Sequence, residues 1–319
     1  MPNYQGVWNI STQYQNRDGW PLSPLTGDIG LVFAGTSWSH TNYQGIEYVI
    51  ISTLGNGTEF GDLDVPRESA GAFGSSTRYV VGGNSADPTT AGFGTFSTLG
   101  TGTEFGELQV RLYGSCIGAS NSTRGVLSGG NIGTGHSDTI EYCTIATAGD
   151  FTDFGNLTAA RATLAGLANT TRAVFGGGDP AGTSTSSTID YITIASTGNA
   201  SGFGSLLFAR QCRGGAASST RGLFMGGYSN SSPYNLDNIE YITIASTGNS
   251  TDFGDLTVAR RIATSLSNST RAVAIGGTTD AKGMDYVTIA TTGNASDYGD
   301  LTGSYGTNSS AASNCHGGI

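Results

Sequence analysis

Apolar and polar positions alternate with a period of two in short runs, and the runs recur. Six copies of one alternating segment place an aromatic after an acidic or small residue: IEYVII (46–51), AGFGTF (91–96), IEYCTI (140–145), IDYITI (189–194), IEYITI (239–244) and MDYVTI (284–289). Ahead of the last five copies, an apolar run stops at a glycine pair: Gly82-Gly83, Gly129-Gly130, Gly176-Gly177, Gly226-Gly227 and Gly276-Gly277. After each copy come a Thr/Gly/Asn-rich turn and an aromatic-Gly-x-Leu tetrad, beginning at Phe60, Phe105, Phe154, Phe203, Phe253 and Tyr298. Alternation of this kind, bounded by Gly, Asn and Asp, predicts short strands. No segment keeps the 3.6-residue period a helix needs.

The tripeptide Ser/Thr-Thr-Arg ends at Arg78, Arg124, Arg172, Arg221 and Arg271, in steps of 46, 48, 49 and 50 residues. A second Arg follows most tetrads: Arg67, Arg111, Arg161, Arg210 and Arg260. A helical repeat of this length is opposed by the density of Gly and β-branched residues. Four strands per unit and six units predict an all-β, six-bladed β-propeller with four antiparallel strands per blade. Two end units are incomplete in complementary ways. GLVFAG (30–35) matches the glycine-pair strand but has no first strand before it, and about 305–313 offers a strand with no partner after it. Pairing of these N-terminal and C-terminal strands in one blade would close the ring. The propeller is expected over 28–319. Residues 1–27, with Tyr4, Trp8, Tyr14, Trp20, Pro21 and Pro24, form an arm expected to dock on another subunit or pack on the rim.

Composition narrows the function. The chain carries 24 acidic and 14 basic residues, and Lys282 is its only lysine, so a nucleic-acid partner is not expected. It lacks an apolar run of ~18 residues, so membrane insertion is not expected either. The first residues show neither the basic start nor the apolar stretch of a secretory leader. Ten arginines sit at two fixed repeat positions, near Glu47, Glu141, Asp190, Glu240 and Asp285, which suits ion pairing within or between blades. Their role is therefore read as structural, and the recurring aromatics as packing between blades. The glycine pairs read as sharp strand exits, since no Gly-Lys-Ser/Thr accompanies them. Cys116, Cys143, Cys212 and Cys315 lack CxxC spacing and read as buried thiols. His40, His136 and His316 form no ligand motif, so no metal, cofactor or catalytic residue is assigned. Sequons at Asn121, Asn169, Asn199, Asn249 and Asn268 read as turn chemistry.

The order Arg, small-residue strand, Gly-Gly strand, acid-Tyr strand, aromatic resembles the kelch repeat, including the kind in the central domain of galactose oxidase. FGDLTVARRIATSLSNSTRAVAIGGTTDAKGMDYVTI (253–289) is the best copy. Phe or Tyr followed by Gly replaces the usual kelch Trp, and Phe93 replaces Tyr in the second copy. The Ser-Thr-Arg and Thr-Gly-Asn turns and the scarcity of Lys also resemble kelch-like proteins of tailed phages, especially cyanophages. That resemblance implies a non-enzymatic virion component (tail, fibre or decoration protein) with other virion subunits as partners and host surface polysaccharide as a ligand. The alternative is a bacterial cell-surface kelch-type interaction or glycan-binding protein. Recognition is expected on the variable loops between second and third strands, where Trp38, His40, Tyr43, Tyr228 and Tyr234 supply rings.

Overall fold

The computed structural model describes residues 25–33, 35, 44–84, 87–180, 182, 184–261, 263–303 and 308–319. Among the described residues there are 24 strands and no helix. They form six four-stranded antiparallel sheets. Numbered outward from the ring axis, blade 2 is β4 (Gly71–Gly74), β5 (Arg78–Gly82), β6 (Thr90–Thr95) and β7 (Thr103–Glu107). Blade 3 is β8 (Ile117–Ser120), β9 (Arg124–Ser128), β10 (Thr139–Thr144) and β11 (Thr152–Asn156). Blade 4 is β12 (Ala165–Ala168), β13 (Arg172–Gly176), β14 (Ser186–Thr193) and β15 (Ser201–Arg210). Blade 5 is β16 (Gly214–Ala217), β17 (Arg221–Tyr228), β18 (Asn235–Thr243) and β19 (Thr251–Asp255). Blade 6 is β20 (Thr264–Ser267), β21 (Arg271–Ile275), β22 (Gly283–Thr288) and β23 (Ser296–Asp300).

Blade 1 joins the two ends of the chain. Its inner strand is β24 (Ser310–Ser313), followed by β1 (Ile29–Phe33), β2 (Gly45–Ile50) and β3 (Thr58–Asp62). The register pairs Gly30 with Ser313 and Phe33 with Ser310. The closure expected from the complementary gaps is thus present. The six inner strands contact one another around the whole ring.

The recurring tetrad explains how blades interlock. In all six blades the register of the third and fourth strands slips at the acid position or its equivalent Gly92, for instance between Ile140 and Glu141. The tetrad aromatic is the extra residue of this bulge, which turns its ring into the core. Phe154, for example, is 2% exposed and meets Tyr142 edge-on at 5.9 Å. The glycine that follows has a separate task. A Cβ at Gly155 would lie 2.5 Å from the carbonyl oxygen of Gly198, in the third-to-fourth-strand turn of the next blade. That approach lets the Gly198 amide donate to Phe154 O (2.7 Å) and the Ala200 amide to Asn156 O (2.7 Å). The same pair of bonds recurs around the ring, ending with Gly55 N to Tyr298 O (3.1 Å) and Gly57 N to Asp300 O (2.9 Å). Each outer strand is therefore continued by its neighbour's turn, which blunts an otherwise open edge. The apolar cores lie between blades. One holds Leu167, Val174, Ile189 and Phe203 of blade 4 against Phe224 and Ile242 of blade 5.

Candidate functional site

The recurring arginines separate into two sets. In the Ser/Thr-Thr-Arg set, Arg78, Arg124, Arg172, Arg221 and Arg271 lie 4.4–4.5 Å over the third-strand rings Phe93, Tyr142, Tyr191, Tyr241 and Tyr286. Each also donates from Nη1 to a carbonyl of the next blade, as Arg172 does to Ile244 O at 2.9 Å. The second set is buried where the glycine-pair strand exits. Arg161 donates to Gly177 O (2.8 Å), Thr188 O (2.9 Å) and Asp190 (2.5 Å). Arg210 pairs with Glu240, and Arg260 with Asp285 at 2.9 Å. Burial pulls the Arg161 and Arg210 guanidiniums below their ordinary range. In blade 2, Gly92 stands at the acid position, and Asp64 reaches Arg67 instead at 2.9 Å.

Arg111 departs from the pattern. The other members lie seven residues after the tetrad aromatic, whereas Arg111 lies six after Phe105. Leu112 occupies the buried position and Arg111 is exposed. The carboxylate Glu141, 1% exposed, instead accepts from the Gln109 and Val110 amides at 2.9 and 2.6 Å. Burial pushes its carboxyl up, and those two amides oppose the shift. Glu47 likewise accepts from the Thr302 and Gly303 amides, at 2.9 and 2.7 Å.

Of the loop-face residues, Trp38, His40 and Tyr43 lie outside the described residues. Tyr228 and Tyr234 flank the loop between β17 and β18 and stack with centroids 6.2 Å apart and planes inclined by 17°. Arg261 lies 4.7 Å over the Tyr228 ring, and Tyr234 is 57% exposed. The Tyr228 backbone is fixed by a two-way pairing with Gln211, whose side chain donates to Asp179 at 3.2 Å. Tyr228 thus packs against both a cation and the exposed Tyr234 ring, and such an exposed ring can stack on the apolar face of a planar or pyranose ligand. On β15, Leu207 and Phe208 are also exposed, at 51% and 48%.

The six inner strands line an axial channel with cavities of about 60 and about 30 Å³ that share Ala72, Gly118, Gly166, Gly215, Ser265 and Ala311. The C-terminal residues cross its end on the Ser/Thr-Thr-Arg face. Gly317 N donates to Ala217 O (3.0 Å), and His316 Nδ1 accepts from Gly318 N (3.0 Å). This assigns the ring proton to Nε2, which faces Gly74 O at 3.1 Å and Ser120 Oγ at 3.2 Å. Burial lowers the His316 pKa, which favours the neutral ring. Near the other end, Arg213 is 4% exposed and donates from Nη2 to Ala70 O at 3.0 Å.

All four cysteines are free; three are buried, and Cys315 is half-buried. Among the described residues, no group of three or more His, Cys, Asp and Glu is placed to hold a metal ion. Sequence reasoning gave no role to Arg213, Arg261 or His316. Arg213 had a readable signal: in register with it stand Ala70, Cys116, Leu164, Ala263 and Ser309, none of them charged at neutral pH. The fold defines the class, a six-bladed β-propeller; no protein-family model and no curated protein matches the chain.

Proposed function

We propose that the chain is a non-enzymatic structural subunit of a tailed-phage particle, a tail, fibre or decoration protein. In this reading the propeller attaches to other virion subunits and presents its variable loop face to host surface polysaccharide. The observation that carries the reading is the Arg261–Tyr228–Tyr234 stack, whose outermost ring is open to solvent while the repeat arginines other than Arg111 bond within or between blades. An aromatic ring held flat by a second ring, with Asn235 beside the outer ring and Ser229 beside the inner one in the chain, suits a neutral sugar through stacking and hydrogen bonds. Exposed Leu207 and Phe208 offer apolar area for a neighbouring subunit. The phage-like turn style and the single lysine support the particle assignment over a bacterial cell-surface protein. Mass spectrometry of purified particles is expected to find the chain at stoichiometric level. Its absence there would sink the virion reading and leave the cell-surface one. An array of host envelope polysaccharides is expected to retain the wild-type protein and to lose it on Tyr234→Ala; equal retention of both would remove the loop face from sugar binding.

A further inference from the structure

Arg213 is a cation placed where the repeat puts an uncharged residue. It leaves blade 5 just before β16 and reaches Ala70 O, in the chain leading into blade 2, directly across a six-membered ring. One hydrogen bond from Nη2 is all this contact satisfies. Among the described residues, Nη1 is buried without a partner, and so is the hydroxyl of Ser265 on the inner strand of blade 6. Both residues line the smaller, 30 Å³ cavity, together with Thr264, Ser309 and Ser310. No carboxylate is among its lining residues, nor among those of the 60 Å³ cavity beyond it. The acidic groups that neutralise the other buried arginines are bound to those arginines or to backbone amides. The titratable group that most strongly acts on Arg213 is the Cys116 thiol, which burial pushes up to about 11 and so keeps neutral. Burial draws Arg213 itself down to about 10, still charged near neutrality. A buried guanidinium without a counter-charge is costly, and a water would satisfy the donor without balancing the charge.

We propose that the axial channel is an anion site, in which Arg213 Nη1 and Ser265 Oγ hold a small monovalent inorganic anion of halide size. The cavity volume is of the order that admits a water or a monatomic ion. The tail of residues 314–319 closes the channel at the far end, so exchange would run past Arg213. Such an ion ties blade 5 to blade 6 through side chains on the axis, in addition to the bonds that Ser267 Oγ makes with the Ala217 amide and carbonyl. It binds the closed ring and not the unfolded chain, so it acts on stability by mass action.

The test uses the full chain in sodium chloride or sodium gluconate at one fixed ionic strength. Once chloride exceeds its dissociation constant, each further tenfold rise is expected to multiply the folding equilibrium constant by about ten. Arg213→Met, which keeps the stem and removes the charge, is expected to abolish that dependence. A response to chloride that persists unchanged in Arg213→Met would overturn the proposal. Should the variant fail to fold, wild-type crystals grown in sodium bromide decide the matter. A bromide anomalous peak within hydrogen-bonding reach of Arg213 Nη1 and Ser265 Oγ supports the site. A channel holding only water under those conditions refutes it.

Discussion

Blades 1 and 4 share one template and secure it differently. In blade 4 the chain is continuous, Arg161 meets Asp190, and Arg172 covers Tyr191 while bonding to the next blade. In blade 1 the inner strand comes from the opposite end of the chain, Glu47 accepts from backbone amides and meets no arginine among the described residues, and Ile29 stands where the stacking arginine would be. In place of that arginine's bond to the next blade, the Leu25 amide donates to Ser97 O at 2.8 Å, alongside the turn bonds of Gly100 and Gly102 to blade 1. What is constant is the carboxylate at the bulge. In both blades it receives backbone amides or hydroxyls from the chain entering the blade: Thr158 for Asp190, Thr302 and Gly303 for Glu47. The arginine is added where a buried carboxylate and two strand-end carbonyls need one common donor.

The largest effect should follow from cutting blade 1 at its seam. Deleting residues 305–319 removes β24 and opens the ring, and is expected to cost an amount comparable to the whole net stability of a domain, ~5–15 kcal/mol. Retention of the full-length melting temperature would contradict closure. Next come matched neutral substitutions. Asp190→Asn leaves Arg161 buried without a counter-charge and is expected to cost ~3–5 kcal/mol, whereas Glu47→Gln keeps an acceptor and should cost only ~1 kcal/mol. Urea unfolding of the two variants reads the difference; equal losses would mean that the arginine plays no part in it. Smaller again is Arg172→Ala, which forfeits a cation–π contact and one bond to the next blade, together ~2 kcal/mol.

The smallest effect concerns pH at Glu141, the other arginine-free carboxylate. Its carboxyl is raised in the fold, so the native state holds a proton that the unfolded chain has released. This contribution is fully present below the unfolded value of ~4.3 and is lost as pH rises through the folded value. Glu141→Gln should therefore flatten the fall in melting temperature from that pH upward; a slope identical to wild type would place the titration elsewhere.

The six modules and the seam were legible because strand alternation, glycine pairs and the Arg tripeptide recur in register, and the two end deficits are complementary. The contacts between modules were less so. Arg111 satisfies a pattern of residue types yet misses the buried slot by one position, and a one-residue shift is invisible without the strand register. The two arginine sets look alike as letters, but one stacks on a ring and the other bridges a carboxylate, a distinction made by bulges. At the candidate site, Tyr228 and Tyr234 were readable as loop aromatics. Arg261, which backs Tyr228, comes from the chain entering the next blade, 33 residues along, so no local motif announces it.

The Asn side chains at the turns bear on how the protein can be produced. Asn169 and Asn268 are buried, and each Nδ2 is committed across a blade boundary, to Ser219 O at 3.1 Å and to Asp28 at 2.5 Å. Both head Asn-x-Thr triplets, which oligosaccharyltransferase modifies on the nascent chain through that same nitrogen. Passage through a eukaryotic secretory pathway would then put a bulky glycan into two seams before the blades could meet, so a bacterial cytoplasm is the expression host that leaves these seams unmodified.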